Sequence, residues 1–169
     1  MNILNRFAFL AVFAAVLLSG CPFSSSVPIG SPDVKVPQKM MGKWIDKSVN
    51  ESTEEAPPTY YVLSNIDGYK FKIEENNFSS TDKKYSKTNY TAYISMIGDD
   101  EFLNIIQGNS ELYYFYKIEW KENSFILHEV TNNIKEKFSS SADLKAFIEK
   151  YKNLSFFYNS DAVSYVRMK

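Results

Sequence analysis

The chain has 169 residues, 19 basic and 20 acidic side chains, a net charge of −1, and 12 Tyr and 13 Phe within an aromatic content of 16%. The balanced charge and the lack of a basic run argue against a nucleic-acid surface and against strong attraction to an anionic membrane. The aromatic content argues against a disordered chain, and the single cysteine, Cys21, leaves no disulfide to stabilise the fold.

The chain opens like a secretory signal. Arg6 supplies a positive charge, and Phe7 to Leu18 is uncharged and apolar. That run lies within the roughly 7–15 residues of a signal core and is shorter than the roughly 20 needed to span a bilayer. Leu18-Ser19-Gly20-Cys21 then resembles the lipobox of bacterial lipoproteins. The resemblance implies that the Cys21 thiol receives a diacylglyceryl group, that residues 1–20 are cleaved, and that Cys21 becomes the lipidated first residue. Two or more acyl chains anchor a protein stably where one is marginal.

Residues 21–39 are expected to form a flexible, lipidated tether. Ser24-Ser25-Ser26, Pro28, Gly30, Pro32 and Pro37 show little apolar periodicity, which suits an extended, solvated spacer. The roughly 150 residues beyond the signal are about one domain in size, and residues 40–169 are expected to be a single β-rich one. Its first strand begins near Met40 to Ile45, and residues 47–58 read as a polar loop. Thr59 to Ile66 and Tyr69 to Glu74 flank Asp67-Gly68, a strong hairpin signal. Asn76 to Lys87 is expected to be a polar loop. Thr88 to Ile97 and Glu101 to Gln107 flank a second turn at Gly98-Asp99-Asp100, and Gly108-Asn109 marks a third. Leu112 to Trp120 and Phe125 to Val130 make a further hairpin.

The period then changes. Ser140-Ser141-Ala142-Asp143 has the form of a capping box. Leu144, Phe147, Ile148 and Tyr151 fall on one face of an amphipathic helix that should lie against the sheet or close one end of it. Ala162 to Met168 reads as a terminal strand. The sum is mainly β: about eight antiparallel strands in a barrel or strongly bent sheet, with one late helix. Closure removes exposed edges, and eight strands leave an interior that is filled or holds one small ligand.

Gly42-x-Trp44 at the start of the first strand resembles the Gly-x-Trp of lipocalins and related barrels. There the Trp plugs the closed end and a late Arg lies across it. The resemblance implies a lipocalin-like barrel with a structural Trp44–Arg167 stack. On the strand from Leu112 to Trp120, Tyr114 and Tyr116 share a face, so their hydroxyls are candidates for lining a ligand cavity. His128 is the lone histidine, adjacent to Glu129 on a strand, so the two side chains point to opposite faces. One His and one Cys argue against a zinc site, and Gly-x-Ser-x-Gly and phosphate-binding glycine loops are absent. No metal and no cofactor are expected. Sequons at Asn50, Asn77, Asn89 and Asn153 are incidental if the lipobox marks a bacterial chain.

These readings describe a non-enzymatic protein of the bacterial cell envelope, held to a membrane by lipid at Cys21 with its domain outside the cytoplasm. Its barrel is expected to bind a small apolar or amphipathic ligand. The alternative is a protein-interaction module, an assembly factor or hydrolase inhibitor, that uses loops 47–58 and 76–87. A cavity above roughly 300 Å³ favours the first reading, and a filled interior with an exposed apolar patch the second.

Overall fold

A computed structural model describes residues 22–49 and 57–168. The signal at 1–20, Cys21 and residues 50–56 of the expected loop lie outside the described residues. The strands are β1 (Ser24–Ser25), β2 (Gly42–Asp46), β3 (Tyr60–Asn65), β4 (Lys70–Ser79), β5 (Lys84–Ile97), β6 (Asp100–Gln107), β7 (Tyr113–Trp120), β8 (Ser124–Glu129) and β9 (Val163–Arg167), with helix α1 (Ser141–Tyr151) between β8 and β9. Strands β2 to β9 form a closed antiparallel ring, completed where β9 pairs with both β8 and β2. This is the barrel with one late helix that the turn signals predict.

The hairpins form where the sequence places turn chemistry. Asp67 Oδ1 accepts hydrogen bonds from the backbone N–H groups of Tyr69 at 3.0 Å and Lys70 at 2.8 Å, while Gly68 takes a φ of 89° that L side chains avoid. Alternation then sorts the side chains. Along β4, Phe71 and Ile73 are buried while Lys70 and Lys72, which alternate with them, keep partial exposure. The inward-facing residues make one core around Trp44, Leu63, Phe71, Ile94, Leu103 and Phe125.

A second core lies outside the barrel wall. Helix α1 starts where Ser140 Oγ accepts from the Asp143 N–H at 3.1 Å. It packs Leu144 and Ile148, both 0% exposed, into a cluster with Ile97, Phe102 and Phe115. Its end is fastened by Lys152, whose Nζ donates to the Ile97 carbonyl at 2.6 Å and meets Asp100 at 2.9 Å. Burial disfavours the Lys152 ammonium, but the Asp100 carboxylate outweighs that and raises its pKa.

Two expectations are corrected. The segment read as a solvated tether is packed on the barrel: Phe23, Ile29 and Val36 are buried, and β1 pairs with β7 at Ser24–Tyr114 and Ser25–Tyr113. A buried polar clasp holds it. Asn104 Oδ1 accepts from the Ile29 N–H at 2.9 Å, Asn104 Nδ2 donates to Ser95 Oγ at 3.0 Å, and the Tyr93 hydroxyl donates to the Gly30 carbonyl at 2.9 Å. Proline and serine removed the periodic signal but not the three apolar anchors between them. The folded unit therefore includes residues 22–39.

The second correction concerns Asn76 to Lys87, read as a loop. It is mostly a β-ribbon, with β4 and β5 paired as far as Ser79–Lys84. Beyond the buried Asn76 its two faces are partly or fully exposed, so a polar sequence is compatible with pairing. Tyr85 packs edge to face on Tyr60 at 5.2 Å and Phe78 at 5.3 Å and stiffens it.

One end of the barrel is plugged. The chain turns through a short 3-10 helix at Gln38–Met40, which brings Met40 beneath the ring of strands. Trp44 Nε1 donates to the Met40 carbonyl at 2.8 Å. Arg167 Nη1 and Nη2 donate to the Met41 and Lys39 carbonyls at 2.9 and 2.8 Å, and its guanidinium carbon lies 4.6 Å from the Trp44 ring centre. Trp44 and Arg167 are register partners on β2 and β9. Gly42 makes room for this: its φ is 120°, and a Cβ there would sit 2.6 Å from Arg167 Nη1.

Gly42→Ala is expected to cost about 3 kcal/mol in urea unfolding, from backbone strain and displacement of the guanidinium; a loss under about 0.5 kcal/mol would contradict this packing. Asn104→Ala is expected to cost about 1–3 kcal/mol and to speed amide exchange at Ile29. Unchanged protection at Ile29 would refute the clasp.

Candidate functional site

Above the plug the barrel is hollow. The cavity holds about 250 Å³, with Met40 and Trp44 at its floor and Leu63, Ile73, Leu103 and Phe125 around its lower wall. Toward the other end the inward positions are mostly tyrosines: Tyr61, Tyr90, Tyr114, Tyr116 and Tyr165. The volume falls just below the roughly 300–1,000 Å³ of drug-sized sites. It suits a molecule of one ring with a short arm.

Two of the tyrosines are held along the wall by their hydroxyls. The Tyr90 hydroxyl donates to Glu75 Oε2 at 2.8 Å. The Tyr116 hydroxyl donates to Glu129 Oε1 at 2.9 Å, and Asn159 Nδ2 also holds the Glu129 carboxylate. Tyr61 and Tyr165 meet edge to face at 5.4 Å. Rings that could fill the cavity thus lie along it. Glu75 lines the cavity and Glu129 stands behind Tyr116.

Of the residues singled out from the sequence, Tyr114 and Tyr116 face the cavity, and Trp44 forms its floor with Arg167 stacked beneath. Cys21 lies outside the described residues. Its neighbour Pro22 forms a β-bridge with Thr131, two residues beyond β8. His128 sits on the outer wall, where Nε2 is 3.0 Å from Glu119 Oε2 and the ring lies 5.9 Å from that of Tyr158. Among the described residues no hydroxyl hydrogen-bonds to His128, and no group of His, Cys, Asp and Glu could hold a metal ion.

Glu75, Tyr61, Tyr90 and Tyr165 were not singled out from the sequence. The signal for Glu75 was present: it continues the inward series Phe71, Ile73 by one more step of two. Ending the strand at Glu74 concealed it.

Compared with known proteins, the chain matches no protein-family model. No curated protein and no solved structure matches it either.

Burial raises the pKa of Tyr61, Tyr90, Tyr116 and Tyr165 above the ordinary 10.0, and the negative charge of Glu75 or Glu129 adds to the effect. The fold therefore favours the neutral phenols. Their contribution to stability is complete below pH 10.0, where the unfolded chain begins to titrate, and is lost progressively above it. We expect the urea midpoint to fall steadily above pH 10, with tyrosinate absorbance from these four residues appearing only as the protein unfolds. Titration of all 12 tyrosines near pH 10 in an intact fold would contradict the burial.

Proposed function

We propose that this protein is a lipid-anchored component of the bacterial cell envelope whose barrel binds a small amphipathic molecule. The cavity carries the binding half of the reading for a ligand smaller than drug-sized, since its volume of about 250 Å³ lies below the roughly 300 Å³ mark. It is enclosed by a barrel wall, plugged at one end, apolar at the floor and edged with polar groups at the other end. A chain that needed only a rigid scaffold would gain stability by filling that space.

The lipobox resemblance at Leu18 to Cys21 supports the anchor. The docking of residues 22–31 adds a consequence. Pro22 bridges Thr131, and Phe23 N–H donates to the Val130 carbonyl at 3.1 Å, so no free spacer separates a lipid on Cys21 from the barrel. The barrel would then sit directly on the bilayer. The alternative, a partner-binding module, would draw on the β4–β5 ribbon, which is ordered by its aromatic cluster rather than a flexible contact loop.

Two variants test the two halves separately. Cys21→Ser is expected to abolish fatty-acid labelling and release the protein from membranes; persistent membrane association would remove the anchor. Ile105→Trp fills the cavity from β6. Native mass spectrometry of the full-length protein from its own cells should find a small-molecule adduct that this variant lacks. An adduct-free wild type, or an adduct unaffected by Ile105→Trp, would defeat the binding half.

A further inference from the structure

The cavity contains an electrostatic imbalance that the apolar reading leaves unused. Glu75 is half-buried among aromatic rings and faces the cavity. One of its oxygens accepts from the Tyr90 hydroxyl at 2.8 Å. Glu75 stands opposite Tyr61 in the β3–β4 register, and its charge acts on Tyr61, Tyr90 and Tyr165 together.

A buried carboxylate is normally paired with a cation, and a half-buried one that faces an apolar cavity gains from one. The ion pairs among the described residues join Glu74, Asp100, Glu119 and Glu149 to lysines or His128, and none reaches Glu75 or Glu129. Among the described residues, no lysine, arginine or histidine lines the cavity. Five tyrosines line the cavity, and aromatic rings attract a positive charge through the negative faces of their π-systems.

We infer that Glu75 and the tyrosines around it form a subsite for an organic cation: a ligand with a protonated or quaternary amine on a small apolar or single-ring body. The amine would lie between the free side of the Glu75 carboxylate and the Tyr rings. The apolar body would reach down to Leu103, Phe125 and Trp44. A metal ion fits poorly, because hard cations need about six oxygen donors and several negative charges, and among the described residues this cavity offers one lining carboxylate. An anionic ligand would face the Glu75 charge with no lining cation among the described residues to offset it. This inference rests on the cavity being a binding site and adds the charge of its occupant.

The test compares three probes of nearly the same shape on the full-length protein by isothermal titration calorimetry: phenethylamine, 2-phenylethanol and 3-phenylpropionate. The expected order is cation over neutral over anion, with the amine at least tenfold tighter than the alcohol. Glu75→Gln should reduce that preference to less than about threefold, and Tyr90→Phe, which frees the carboxylate to move, should reduce it partly. Thermal unfolding of both variants establishes that they are folded. Equal affinity for amine and alcohol, or a preference that survives Glu75→Gln, would overturn the cation subsite while leaving the cavity a binding site. Failure of all three probes to bind the wild type would overturn the cavity reading and this inference together. Should Glu75→Gln not fold, the amine-to-alcohol ratio in the wild type and in Tyr90→Phe decides alone.

Discussion

Arg167 connects the last strand of the chain to the turn that precedes the first strand of the barrel. Its fork takes the carbonyls of Lys39 and Met41, 128 and 126 residues away in sequence, and its face covers the Trp44 ring. The carbonyl between those two, that of Met40, goes to the indole N–H. Three consecutive acceptors at the end of a one-turn helix are thus satisfied by two side chains that also stack on each other. A bidentate guanidinium suits this place, since a lysine ammonium has neither the planar fork nor the flat face. Contacts this distant in sequence form late and at high entropic cost, so the ring depends on a strong final contact. The plug also sets the floor of the cavity. Without it the barrel would be open at both ends.

The wall is held from outside as well. Phe115 on β7 points away from the cavity that Tyr114 and Tyr116 line, and meets Phe23 at 5.9 Å. The N-terminal strap and helix α1 cover this outer face with a second core. Such support permits the hollow. With the outer faces of β5 to β7 buried, the barrel gains apolar burial that its interior gives up at the tyrosine-lined end. The strap has another effect. It brings Pro22, the residue following Cys21, into the folded structure.

Much of the architecture was legible because its determinants are local. Asp67-Gly68, Gly98-Asp99 and the Ser140 cap each dictate a turn or a helix start within four residues. Gly42-x-Trp44 was legible in form, and the structure supplies its physical reason: the glycine is there for Arg167 as much as for the backbone. The strap was not legible, since its binding energy comes from Ile29, Phe23 and a clasp on Asn104, distant in sequence and invisible to periodicity. The ribbon past Asn76 was missed because alternation marks a strand only where one face is buried. The cavity residues were partly legible. Tyr114 and Tyr116 stood out as the densest aromatic stretch, whereas Glu75 was hidden by ending its strand at Glu74, and Tyr90 sat on an expected strand with no local sign that its hydroxyl meets Glu75.

The account comes down to a barrel with a firm floor and an unfilled, negatively charged upper chamber. Its most direct test is a crystal structure of the protein grown with 4-bromophenethylamine and measured at the bromine absorption edge. The account predicts one anomalous peak inside the barrel near Leu103 and Phe125, with the amine nitrogen within hydrogen-bond distance of Glu75. A chamber filled by inward-turned Tyr90 and Tyr116, with bromine only on the outer surface, would contradict it.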